Sequence, residues 1–330
     1  MASPVAHSRD LKSALRKAAI RATLAPSVHN TQPWQLRLTE NTLELRADRS
    51  RQLTVLDPTR RQLLISCGCA LFNARVLLAA VGVPVTVRRQ PDPDDPDLLA
   101  VIAAADASAA PERIGALNTV VETRQTNRRR FSTEQVPDEV VGELVDAAAA
   151  EGAGLFVIAH EEHRISTAVL SQRADAEQNA NAAYRAELRA WTSDDPNRRD
   201  GVPASAVPHV DAGTGDDIPI RDFDARGTGW LPTETRSSMR QCLLLLTTDG
   251  DDPAGWLRAG EALERIWLAA TARGYAVSPL TQVIEVAHTR QQLRAELGLT
   301  AHPVVLLRIG RAPVTASSHR RRLADVLVEG

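Results

Sequence analysis

The sequence is poor in the features that mark extracellular, membrane-spanning or nucleic-acid-binding proteins. It has three cysteines in 330 residues, an odd number, and Cys67 and Cys69 stand too close together for an ordinary disulfide framework. All three, Cys242 included, lie in mostly apolar segments, which favours packed thiols in a reducing compartment. No Cys or His cluster accompanies them, so no metal site is expected. The net charge is only -2, with both signs interspersed, which gives no reason to expect a nucleic-acid or anionic-membrane partner. No stretch reaches the roughly 18 unbroken apolar residues of a membrane helix, and the opening MASPVAHSRDLKSALRKAA lacks an apolar core of signal-peptide length. A cytoplasmic location is expected. There is no G-x-S-x-G elbow either, so Ser27 and His29 do not suggest a hydrolase.

What is present is organised around Ala25 to Trp34, APSVHNTQPW. This segment joins an amphipathic helical run, Leu11 to Thr23, to an alternating hairpin at Trp34 to Leu38 and Thr42 to Ala47. Pro26 and Pro33 restrict its ends, lowering the entropy lost when Ser27, His29, Asn30 and Gln32 are aimed at something. An ordinary turn, with Ser and Asn bonding their own backbone, fits the spacing as well. Arg61 to Ala80 is apolar nearly all round and reads as a buried central helix. A strand follows Pro84 and another spans Leu98 to Ala104. Beyond a small-residue connection come a helical stretch at Arg113 to Thr123, a helix at Pro137 to Ala150, a strand LFVIA, a strand at Cys242 to Thr247, a long helix at Trp256 to Arg273 and a strand at Val304 to Ile309.

The interval 171–236 is unlike the rest, rich in Asp, Arg, Gly, Pro and Asn, with a helix expected at Ala180 to Trp191. Its landmarks, Tyr184, Trp191, Pro203, Pro208, Phe223 and Trp230, suit a lid, since loops this long are uncommon in compact domains. A surface excursion is the alternative. The two long helices also align without a gap: Gly68, Ala70, Leu71, Ala80, Gly82 and Val85 meet Gly260, Ala262, Leu263, Ala272, Gly274 and Val277 at one constant offset. Helix, loop, strand, central helix, Gly and strand recur around them, so the chain is expected to imitate a symmetric dimer. The expected halves are 1–110 and 111–330.

Arg124, Thr126 and Arg128 stand at alternate positions, where two guanidiniums and a hydroxyl can converge on one dianion. Arg320, Arg321 and Arg322 form a second cluster near the C-terminus. Either run would also serve as a solvated basic surface.

These residues together resemble a known family. APSVHNTQPW resembles the APSxxNxQPW signature of the nitroreductase superfamily, RQTNR at 124 to 128 resembles its phosphate motif, and HRRRLADVL resembles its terminal basic segment. The segment from Tyr184 to Pro203 resembles the insertion of the Acg family, whose members fuse two halves and cover their flavin with a lid. The resemblance implies an α+β nitroreductase-like fold, with the two halves imitating a homodimer in a monomeric chain. It implies one FMN per chain, because the first half lacks a second phosphate motif and the second half lacks a second APS loop. Arg124, Thr126, Arg128 and one or more of Arg320, Arg321 and Arg322 would hold the phosphate. Ser27, Asn30 and Gln32 would contact the flavin from across the seam, with Ser278, Pro279 and Gln282 as further contacts. The implied activity passes hydride from NAD(P)H to a nitroaromatic or quinone-like acceptor, the alternative being a lid-occluded flavin store. His29, Gly260 and Gly274 are expected to be structural.

Overall fold

A computed structural model describes residues 4–106, 109–110, 112–193, 195, 197–206, 218–223, 241–313 and 318–330. The chain opens with α1 (Pro4–Ala22), then β1 (Trp34–Leu38) and β2 (Thr42–Ala47), whose alternating burial is that of a hairpin with one face on the core. Next come α2 (Arg61–Ala80), β3 (Val85–Arg89) and β4 (Leu98–Ala104). The second part contains α3 (Asp138–Ala149), β5 (Gly154–Val157), α4 (Glu161–Ala180), α5 (Ala182–Ala190), the short strands β6 (Thr192–Ser193) and β7 (Val202–Pro203), and β8 (Cys242–Thr248). It closes with α6 (Pro253–Ala272), β9 (Ala276–Leu280), α7 (Gln282–Glu285), α8 (Ala287–Glu296), β10 (His302–Gly310) and β11 (Leu327–Glu329).

Two sheets flank a central helix pair. Their strand orders are β11-β1-β2-β4-β3 and β5-β8-β10-β9. Leaving β11 aside, the two sheets share one topology, because β1, β2, β4 and β3 correspond in chain order to β5, β8, β10 and β9. The segment containing α4 to β7 occupies the position that a short turn fills between β1 and β2. β11 crosses back to lie parallel to β1, with Leu36 opposite Leu327, so the last residues of the chain complete the first sheet.

The helix pair α2 and α6 meets at Gly68 and Gly260. A Cβ built at either glycine would lie 2.8 Å from the other's Cα, and 2.1 or 2.0 Å from the carbonyl oxygen of Leu257 or Ile65. Only glycine allows this approach. Among the described residues, α2 is the one helix long and apolar enough to cross a membrane, and 89% of its apolar window is buried in the protein.

Two expectations change. The helical stretch at 113–123 is a 3-10 turn, Gly115–Val120, in which Gly115 packs against the Ala79–Ala80 backbone too closely for a side chain. The helix expected at 180–191 is α5, but the 20-residue α4 precedes it and enters the interval read as a lid. α4 buries Thr167, Leu170, Ser171, Ala174 and Gln178, a face of mostly small or polar residues that gives little hydrophobic period. Asn181 breaks the run and caps α5, its side-chain oxygen accepting from the amides of Ala183 and Tyr184. The landmarks Pro208 and Trp230 lie outside the described residues.

Candidate functional site

The loop from Ala25 to Trp34 holds three non-glycine residues in the left-handed region, His29 (φ 46°), Asn30 (φ 54°) and Gln32 (φ 50°). Such residues cost on the order of 1 kcal/mol each and persist where surrounding bonds over-determine them. Here the bonds are numerous. The Gln32 amide donates to Ser27 Oγ at 2.9 Å, the Val28 amide donates to Ser66 Oγ of α2, and the Asn30 side-chain amide donates to the carbonyls of Gly201 and His319. Gln32 donates to the Arg199 carbonyl and accepts from the Arg321 amide. The strained loop is therefore pinned by α2, by the segment around residue 200 and by the C-terminal tail at once.

One cavity opens beneath this loop, with about 800 Å³ of free space including its mouth. Its walls come from both sheets' helices and loops: Ser27 and His29 above, Ile65 and Ser66 of α2, Trp267 of α6 and Ser278 of β9. Ile220, Arg221 and Phe223, which lie between β7 and β8, close part of it. The His29 and Phe223 rings meet edge-on with centroids 5.2 Å apart, and the Arg128 guanidinium lies over Phe223 at 5.1 Å. Burial, together with Arg221 and Arg128, holds the His29 imidazole well below its usual pKa, so His29 is a neutral wall residue. Arg221 is fixed by Glu285 through two 2.7 Å contacts, by Thr281 Oγ1 and by the Tyr184 hydroxyl.

A second cleft, about 500 Å³, adjoins the first. It is lined by Arg124, Thr126, Arg128, Arg320 and Ser318, with Leu24 at the end of the first helix, and Thr126 and Arg128 belong to both spaces. Arg124 and Arg320 both donate to the Leu24 carbonyl, at 3.3 Å each, and Arg320 also donates to Asn30 Oδ1 at 3.1 Å. Burial next to Arg124 pulls the Arg320 pKa down to about 9, and burial next to Arg221 pulls Arg128 to about 10. Cations crowded this way, away from water, favour an anion between them. Buried Nε and Nη1 of Arg124 and Nε of Arg320 have no hydrogen-bond partner among the described residues.

The two arginine clusters are thus brought together, though not whole. Ser27, Thr126 and Arg128 line the larger cavity, and Arg124 and Arg320 join Thr126 and Arg128 in the cleft. Asn30 and Gln32 are buried in bonds to the Gly201 and Arg199 carbonyls and to the C-terminal tail, Asn30 Oδ1 accepting from Arg320 and Gln32 Oε1 from the Arg321 amide. Arg321 reaches the Gln32 and Asp325 carbonyls and Asp48. The Arg322 amide donates to Asp325 in the closing turn. Ser278 and Pro279 line the larger cavity, whereas Gln282 bonds to Asp175 and the Pro219 carbonyl. Sequence reasoning missed Glu264 of α6, fully buried 3.3 Å from Arg124, and Arg221; two glutamates, Glu261 and Glu264, within a helix otherwise buried through apolar residues were the available signal.

A sequence profile of the Nitroreductase family matches residues 121–311. A Mycobacterium tuberculosis H37Rv protein named "Putative NAD(P)H nitroreductase Rv3131" is 35% identical over 95% of this chain and 90% of its own length. Another from that strain, "Putative NAD(P)H nitroreductase acg", is 32% identical over 91% of this chain and 89% of its own. A solved nitroreductase with bound FMN from Desulfitobacterium hafniense aligns with a TM-score of 0.41 at 14% identity, covering 64% of this chain and 96% of that one. The profile match and the extent of the mycobacterial identity place this chain in the nitroreductase family.

Proposed function

We propose that the chain binds one FMN in the seam between its halves, 1–110 and 111–330, and uses it as an oxidoreductase. Hydride would come from NAD(P)H and pass to a nitroaromatic or quinone-like acceptor. The observation that carries this reading is the continuity of a largely apolar cavity with an arginine-lined cleft through Thr126 and Arg128. An apolar slot with few polar groups suits a planar ring, and a cluster of guanidiniums suits a phosphate. The unpartnered Arg124 and Arg320 nitrogens fit that phosphate. In this reading Arg124, Thr126, Arg128 and Arg320 hold the phosphate and Ser27 and Trp267 flank the ring, while Asn30, Gln32 and Arg321 keep the loop in its strained form. FMN, when bound, supplies the hydride chemistry; the protein positions it and limits what reaches it. The shared strand order of the two sheets and the reciprocal glycine contact support the pseudo-dimer that makes such a seam intramolecular.

A second reading has its own observation. Ile220, Arg221 and Phe223 line the cavity, and Glu285, Thr281 and Tyr184 fix Arg221 there. A lid held this firmly would leave a flavin store with little turnover. The test is anaerobic mixing of purified yellow protein with NADH or NADPH. Rapid bleaching supports the enzyme; bleaching by dithionite alone supports the store, and Phe223→Ala should then restore bleaching by the nicotinamide. Protein that neither carries nor takes up FMN defeats both readings.

A further inference from the structure

The phosphate cleft has an acidic residue behind it that the cofactor reading does not use. Glu264 lies on α6, and its carboxylate is fully buried. Its Oε1 faces Arg124 Nε at 3.3 Å, outside hydrogen-bond geometry, and neither of its oxygens has a hydrogen-bond partner among the described residues. The Arg124 guanidinium also rests over the Trp267 ring at 4.9 Å. The same protein shows how a buried pair built for rigidity looks. Glu285, equally buried, takes two 2.7 Å contacts from Arg221 and a third bond from Gln178, and its pKa is held low. Glu264 lacks those bonds, so the cost of burying its charge is poorly offset. Burial pushes its pKa up to about 7 against the pull of Arg124, of the neighbouring Asn73 side chain and of Arg320.

We infer that Glu264 is the proton-accepting counter-charge of the cleft: seating a phosphate dianion against Arg124 and Arg320 draws one proton from solvent onto its carboxyl group. This rests on the FMN reading above. The charged groups around the carboxylate are few. Arg124 and Arg320 face it from the cleft side, and the Cys69 thiol and Asn73 amide face it from α2. Glu261, on the same helix, is engaged by Arg75 and Arg89. An incoming dianion adds negative charge on the side where the two arginines stand. It competes with Glu264 for Arg124, whose Nε and Nη1 lack hydrogen-bond partners among the described residues. Protonating the carboxyl removes the competition and leaves both arginines to the ligand.

Linkage fixes the direction. The bound state holds the extra proton more tightly than the free state, so affinity is level below the free-state titration and falls above it, by up to about tenfold per pH unit. The phosphate's own second ionisation, near pH 6, is common to wild type and variant and cancels in their comparison.

The experiment is an FMN titration of the apoprotein by fluorescence quenching from about pH 6 to pH 9, with wild type, Glu264→Gln and riboflavin as the phosphate-free ligand. Wild type should lose FMN affinity above neutrality. Glu264→Gln should bind FMN more tightly at the alkaline end with a flatter profile, and riboflavin should give the same pH profile with both proteins. Equal FMN slopes for the two proteins overturn the inference. Should Glu264→Gln not fold, calorimetry of wild type in two buffers of different ionisation enthalpy decides, since absence of proton uptake on FMN binding overturns it. Failure of wild type to bind FMN at any pH refutes the FMN reading instead. The cleft is then tested alone by the thermal shift from inorganic phosphate, which should weaken toward alkaline pH in wild type and not in Glu264→Gln.

Discussion

Replacing Gly260 with alanine inverts the usual effect of that substitution. In an ordinary helix interior Gly→Ala stabilises by roughly 0.8–1 kcal/mol, through backbone entropy and helix propensity. At Gly260 the new methyl would sit 2.0 Å from the Ile65 carbonyl oxygen and 2.8 Å from the Gly68 Cα, against ordinary contacts beginning at 3.4 Å. Both obstacles are backbone, so no side chain can swing aside; α2 and α6 must separate by roughly 1 Å, which forfeits a quarter to a half of the dispersion energy across the contact. Overpacking of this kind costs about 1–3 kcal/mol, with a backbone clash at the upper end. Net destabilisation of about 2 kcal/mol is expected after the propensity gain is subtracted. Gly142, inside α3 with nothing within 4 Å of its Cβ position, is the internal control, and Gly142→Ala should gain about 0.5–1 kcal/mol. Urea unfolding followed by tryptophan fluorescence reads both, Trp267 of α6 being a buried reporter. A Gly260→Ala protein as stable as wild type, or more so, would refute the close-crossing argument.

Arg75 is buried among Glu112, Glu151 and Glu261. Arg75→Met leaves Glu151 to Arg265 and Glu261 to Arg89, so the loss should fall near the low end of the range for a broken buried pair, about 3 kcal/mol by denaturant midpoint. Burial raises the Asp57 pKa to about 6. The folded state then holds a proton that the unfolded state releases near pH 4, so stability falls as pH rises from about 4 to 6. Asp57→Asn should remove that slope and gain about 2 kcal/mol at neutral pH, and an unchanged stability profile across this window would count against it. Burial pushes the Cys67 and Cys69 thiols far above their usual range and Cys242 to about 11. A thiol reagent at neutral pH should modify none of the three rapidly in the native protein and all of them in denaturant. Arg320→Ala should weaken FMN binding roughly 10- to 100-fold, the worth of a charge-assisted bond, while Arg322→Ala should leave it unchanged; equal losses would mean that the tail acts as a diffuse basic patch.

The sequence by itself determined the elements whose burial is regular. β1 and β2 were legible residue for residue because one face alternates onto the core, and α2 because it is buried nearly throughout. α4 was illegible because its contacts are made by Thr, Ser, Ala and Gln, and β11 because three residues give no period; its place beside β1 is a long-range pairing. The strained loop and both arginine clusters could be singled out from residue type and spacing. Tertiary structure alone decided that Arg320 enters the cleft while Arg321 turns to Gln32 and Asp48, that Asn30 bonds to the backbone around residue 201, and that Glu264 stands behind Arg124. Local sequence sets which backbone conformations are cheap. Which side chains share a desolvated space depends on the crossing of two helices far apart in the chain, and hydrophobic period carries no record of that.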